Sequence, residues 1–181
     1  MRIKKWNARL ALLTIAVLLF HTAYQIVAYL VFYYNPMLSA VSGLTLAGLT
    51  VLHAILSAIS VFVLHDSKTV KYKKLNIKTV FQRVFGALIL VLLPIHIFSF
   101  GLLKSSAGSF GYYLAEASQI LFYASLYFHA ALSFSNALIT LGRLESIKKK
   151  RVIDVVLWVV CTIMVVVTSV SITIVHSKII H

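Results

Sequence analysis

Five stretches of almost unbroken apolar residues, at about 10–34, 41–65, 80–103, 114–141 and 153–176, divide the chain, and the polar residues gather in the short intervals between them. Each stretch exceeds the roughly 20 residues needed to cross a hydrocarbon core about 30 Å thick. The pattern predicts an all-α membrane protein, with five transmembrane helices in a bundle that forms a single transmembrane domain over residues 1–181 and leaves no room for a separate soluble domain. Asn35-Pro36 breaks the first run, and residues 104–111, rich in Ser and Gly, separate the third from the fourth; both links read as tight turns. The first run continues through Tyr33 with no small-residue cleavage site, so it reads as a retained helix and not as a signal peptide.

Composition makes the same demand for lipid. Of 181 residues, 61% are hydrophobic and 12% are charged, and only Asp66, Glu116, Glu145 and Asp154 are acidic; soluble domains use about half apolar and about a quarter charged residues. The net charge of +13 does not point to nucleic acid, because the lysines and arginines sit at the ends of the apolar runs. Of the 17, fifteen lie in the N-terminal arm, the second link and the fourth link, and only Lys104 and Lys178 lie on the other side. Cytoplasmic loops retain positive charge, so the expectation is a multi-pass protein of the cytoplasmic membrane, N-terminus cytoplasmic and C-terminus external. Trp6, Tyr33, Tyr34, Tyr72, Tyr112 and Tyr113 near the run ends fit interfacial aromatic belts. The single cysteine, Cys161, has no partner in the chain, which excludes intrachain disulfides and cysteine-ligated clusters.

The candidate chemistry lies in four histidines. His21, His53, His96 and His129 fall in the first four runs, each 12 to 15 residues from a cytoplasmic-side basic residue: Arg9, Lys68, Arg83 and Arg143. At about 1.5 Å per residue this puts each roughly 18–23 Å from its charged marker, well inside the hydrocarbon. An imidazole there is costly unless it faces the interior and finds a partner. No Asp or Glu lies nearby to support a proton relay or a non-haem iron or zinc site. Haem suits these positions better, because its iron takes two axial imidazoles and its macrocycle fills apolar space between helices. Four histidines make two bis-histidine haems, a coordination that leaves no open position and so implies electron transfer. The alternative is that each histidine only hydrogen-bonds a neighbouring helix. His65, beside Asp66, and His176 and His181 read as interfacial and solvated.

Several motifs then carry a resemblance. Gln82-Arg83-Val84-Phe85-Gly86 ahead of His96, Phe128-His129 followed by Phe134-Ser135-Asn136 and Gly142, and His53-Ala54 at 29 residues before Gln82 resemble the cytochrome b membrane-anchor subunit of succinate:quinone oxidoreductases. The similarity spans about residues 15–150 and is to the single-chain, five-helix, two-haem class found with menaquinone. The chain departs from that pattern in its shorter external links and in lacking an acidic residue in the first two helices, where some members place a proton-transferring glutamate.

The resemblance implies two haem b groups, with His53 and His129 as ligands to the haem nearer the cytoplasm and His21 and His96 as ligands to the outer haem; depth in the sequence does not itself sort the pairs. It implies a menaquinone substrate near the outer haem, with Glu116, Gln119 and Tyr112 as candidates to handle it, and cytoplasmic partners in the form of a flavoprotein subunit and an iron–sulfur subunit. Around the haems, Arg83 reads either as a propionate partner or as a plain basic anchor, and Ser135 and Asn136 either as haem surroundings or as links between helices. Glu116 reads equally as an interfacial carboxylate. Pro94 is expected to bend the third helix. Rivals are another two-haem respiratory anchor, which would place its ligands on only two helices, and a haem-free transporter or anchor. Nothing in the chain distinguishes succinate oxidation from fumarate reduction, and without a flavin motif or cluster cysteines the chain alone cannot act on succinate.

Overall fold

In a computed structural model that describes residues 2–31, 33–62, 73–105 and 109–180, the chain is all-helical: α1 (Arg2–Leu30), α2 (Pro36–Phe62), α3 (Lys73–Ser105), α4 (Phe110–Thr140) and α5 (Ile147–Ile180). Of the positions singled out above, His65, Asp66, Lys68, Tyr72 and His181 lie outside the described residues, as do the side chains of Lys104, His176 and Lys178.

Three helices start well before their apolar runs. α1 begins at Arg2, α3 at Lys73 and α5 at Ile147, each from within the basic flank. Lysine and arginine are good helix formers, and no Pro or Gly stands between flank and run. The apolar run therefore marks the thickness of lipid to be crossed and not the length of the helix. At other ends the chain stops where breakers require it. Asn35 precedes Pro36, which disfavours helix at Asn35 and suits the first position of α2, and Asn35 Oδ1 caps that helix by accepting from the Leu38 N–H at 3.1 Å. The Tyr24 hydroxyl closes the turn from α1, donating to the Asn35 carbonyl at 3.0 Å and accepting from its N–H at 2.8 Å.

Ser109 caps α4, its hydroxyl accepting from the Tyr112 N–H at 3.3 Å. Its C-terminal end closes at Gly142, whose φ of 71° lets Arg143 N–H reach the Leu138 carbonyl at 2.9 Å and Gly142 N–H reach Ile139 at 3.0 Å. Pro94 lies inside α3, which continues through it as one helix.

Four helices contain spans long and apolar enough to cross a membrane: Arg2–Ala28, Pro36–Val61, Ile77–Ser99 and Ile147–Ile174. α4 is the exception. Its apolar run is interrupted by Glu116, Gln119, Ser125, His129, Ser135 and Asn136, and it lies against α3, α5 and α1, while α2 lies along α1 and touches α3 only lightly. Its wholly buried side chains are Gln119, Ser125, Ser135 and Ala131. Large apolar side chains point outward instead, among them Phe20, Val27, Leu44, Val91, Phe98, Val159 and Val166. This distribution, small and polar within and apolar without, is what association in lipid favours, because lipid solvates leucine but not serine.

The best-packed centre joins Leu18 of α1, Tyr127 and Ala131 of α4, and Cys161 of α5, where the Tyr127 hydroxyl donates to Thr22 Oγ1 at 3.0 Å. A second cluster joins Ile89 and Leu92 of α3 to Phe122 of α4. Ala131 has no exposed surface, so Ala131→Leu overpacks the first cluster and is expected to destabilise the protein by about 1–3 kcal/mol. Val159→Leu on the outer face is expected to be neutral, and thermal melts of both variants in detergent check the contrast.

Candidate functional site

Contacts between adjacent helices set the register that the sequence left open. Along α1 and α2, Asn7 Nδ2 donates to Ser57 Oγ at 3.0 Å, His21 Nδ1 meets Ser42 Oγ at 2.9 Å, and Gln25 Nε2 donates to Ser39 Oγ at 2.6 Å. This antiparallel ladder puts His53 opposite the region of Ala11, ten residues or about 15 Å from the level of His21. Along α3 and α4, His129 Nδ1 meets the Gln82 carbonyl at 2.8 Å and His96 Nδ1 meets Gln119 Oε1 at 2.5 Å. Gln119 and His129 are again ten residues, or about 15 Å, apart on one helix. The four histidines thus occupy two levels, two at each.

At the first level the rings of His53 and His129 face each other with centroids 6.3 Å apart and planes at 73°. Among the described residues α2 and α4 make little backbone contact, so the two rings meet between helices that are not closely packed on each other. Two metal–imidazole bonds of about 2 Å each would put ring centres about 6 Å apart on opposite sides of one ion, close to the separation found. At the second level His96 is within electrostatic reach of His21, stacks on Phe122 at 4.6 Å and meets the edge of Tyr123 at 5.9 Å.

Hydrogen bonding fixes the proton on His129, and the contacts around His21 and His96 favour the same tautomer. A carbonyl oxygen only accepts, so His129 donates from Nδ1 to Gln82. Ser42 gives its own proton to the Ser39 carbonyl at 3.2 Å and therefore accepts from His21 Nδ1. Ser99 donates to the His96 carbonyl at 3.5 Å and accepts from Gln119 Nε2; this turns the amide oxygen of Gln119 to His96 Nδ1, which must donate. In each of the three the lone pair then sits on Nε2. An imidazole whose Nδ1–H is held by an acceptor, with Nε2 presented as a donor atom, is the usual arrangement of a metal-ligating histidine. His53 differs: its ring has a backbone hydrogen-bond partner in Asn7, but its buried Nδ1 has none. A buried polar atom left unpaired costs about 1–3 kcal/mol.

Two glycines make room for the rings. A Cβ at Gly86 would stand 3.1 Å from His129 Cε1 and 3.3 Å from its Nδ1, whereas one at Gly43 would meet His21 Cε1 at an ordinary 3.4 Å.

The residues proposed to surround a haem or quinone are distributed more widely. Gln119, a quinone candidate by sequence, is fully buried and turned toward α3 and His96. Glu116 instead faces α5, where its Oε1 accepts from Thr173 Oγ1 at 2.7 Å, with Tyr112 buried one turn earlier. Arg83 is exposed, next to the Gln82 carbonyl that holds His129. Ser135 is buried against Asp154 of α5, which is paired with Lys150 at 2.5 Å and Lys78 at 3.5 Å. Asn136 is exposed and donates to the Leu132 carbonyl of its own helix at 3.4 Å. Sequence reasoning missed Ser42, Ser99 and the Gln82 carbonyl as histidine partners; polar residues at histidine depth on a neighbouring helix were the available signal.

Among the described residues no three His, Cys, Asp or Glu side chains converge as a metal site; the histidines come in twos, which suits an ion that brings its remaining ligands with it. No protein-family model, curated protein or solved structure matches the chain, so the site is read from its own geometry.

Gly86→Ala is expected to displace the His129 ring from Gln82 and to destabilise the protein, while Gly43→Ala is tolerated. Thermal melts of the two variants in detergent check this.

Proposed function

We propose that the chain is a two-haem cytochrome b membrane anchor, of the kind that serves succinate:quinone oxidoreductases, and that it conducts electrons between a membrane quinone, of the menaquinone type by resemblance, and a flavoprotein and iron–sulfur partner on the cytoplasmic face. The observation that carries the reading is the arrangement of four intramembrane histidines as two pairs on two levels, with the Nδ1 proton of three of them committed to an acceptor. A haem iron gripped by two imidazoles supplies one-electron transfer with no open coordination position.

The residues present fit that group. His53 and His129 approach each other from α2 and α4, Gly86 lets the His129 ring come close to α3, and Gln82, Ser42 and Gln119 contact the imidazoles. Ligation through Nδ1 or Nε2 would give the orphaned polar edge of His53 a purpose. In the rival reading the histidines only tie helices together. That reading accounts for His21, His96 and His129, but it leaves His53 Nδ1 buried and unpaired.

In this account all five helices cross the bilayer. α4 has 31 residues, which at about 1.5 Å each is ample length, and its polar side chains are shielded by α1, α3 and α5. The fifteen basic residues on one side orient the N-terminus to the cytoplasm and attract a partner there. Arg83 stands at that end, beside the His129 level, where it suits a propionate. Tyr112 and Glu116 lie toward the opposite end of α4, on the side where the quinone is handled.

A pyridine haemochrome assay on the purified chain is expected to give two b haems per polypeptide. His53→Ala and His129→Ala each lose one haem, the same one, and His21→Ala and His96→Ala each lose the other. A preparation without haem, under conditions that load known cytochromes, would refute the proposal.

A further inference from the structure

Gln119 is among the few described side chains with no exposed surface at all, and it contacts His96. Its two amide atoms make different bonds. Nε2 donates to Ser99 Oγ, and Oε1 meets His96 Nδ1. Ser99, buried at 2% exposure, sits three residues after His96 on the same helix and returns its proton to the His96 carbonyl. The three residues therefore form a closed ring of contacts. The ring couples the amide orientation to the tautomer of His96: with the amide oxygen toward Nδ1, the proton sits on Nδ1.

Resting on the two-haem reading, we infer that Gln119 is a positioning and tuning residue for the haem held by His21 and His96, acting through His96 Nδ1 and not as a quinone ligand. An acceptor on Nδ1–H raises the electron density and basicity of the ring. A more basic axial imidazole stabilises the oxidised, more positive iron, which lowers the reduction potential. The His53–His129 level does not share this control: His129 donates to a main-chain carbonyl, which no side-chain substitution removes, and His53 Nδ1 has no partner.

The test is redox titration of the purified chain, both haems followed, in wild type, Gln119→Leu and Gln119→Glu. Gln119→Leu keeps the volume and removes the acceptor, so the potential of one haem rises while that of the other stays fixed. Gln119→Glu restores an acceptor, and the same haem returns to or falls below its wild-type potential. Loss of that haem in Gln119→Leu with recovery in Gln119→Glu also supports the assignment. An unchanged potential in Gln119→Leu, equal shifts at both haems, or loss of haem in both variants overturns it. Ring 15N chemical shifts of His96 supply a readout that needs no haem: the Nδ1–H form in wild type, changed in Gln119→Leu. A chain that binds no haem yet shows this tautomer defeats the parent reading and leaves the Gln119–His96 coupling standing, whereas a haem-loaded chain with an unmoved potential does the reverse.

Discussion

An imidazole cannot be placed in hydrocarbon without something to receive its N–H and something to use its lone pair, because no water is present to do either. Much of what distinguishes this structure follows from meeting the first of these demands at three of the four imidazoles. Ser42 on α2, Gln119 on α4 and the main-chain carbonyl of Gln82 on α3 each receive one Nδ1 proton from a different helix. The same contacts fix the registers of the α1–α2 and α3–α4 pairs. Site and scaffold are thus one set of interactions: the bonds that aim the rings also join the helices that carry them.

The unequal character of the helices follows from the same constraint. α4 supplies His129 and Gln119 and buries Ser125 and Ser135, and it lies against three other helices. Its polarity would be costly on a lipid-facing helix and is harmless on an enclosed one. α2 is the opposite case. It carries His53 to the His129 level but packs closely only with α1.

Much of this was legible in the sequence and some of it was not. Five apolar runs became five helices, four of them long and apolar enough to cross a membrane. The basic flanks concealed where α1, α3 and α5 begin, since lysine continues a helix as readily as leucine does. The greater polarity of α4 was visible in Glu116, Gln119 and Asn136, but enclosure by its neighbours is a tertiary property that no single run reveals. The histidines stood out as candidates because each broke an apolar stretch at similar depth. Their division into two levels did not, for it depends on small differences in register between antiparallel helices, which estimates of depth from distant basic residues are too coarse to resolve. Gln119 shows the limit most clearly. Its place near a helix end suggested a quinone contact, and only the approach of Ser99 and His96 from α3 reveals what its amide faces.

The central claim is that each pair of imidazoles grips one iron from opposite sides. Near-infrared magnetic circular dichroism of the oxidised, purified chain reports axial ligation directly. The account predicts charge-transfer bands of bis-imidazole haem alone, with an intensity corresponding to two such centres per polypeptide. Bands of imidazole–water or imidazole–methionine ligation, or a spectrum without haem bands, would contradict it.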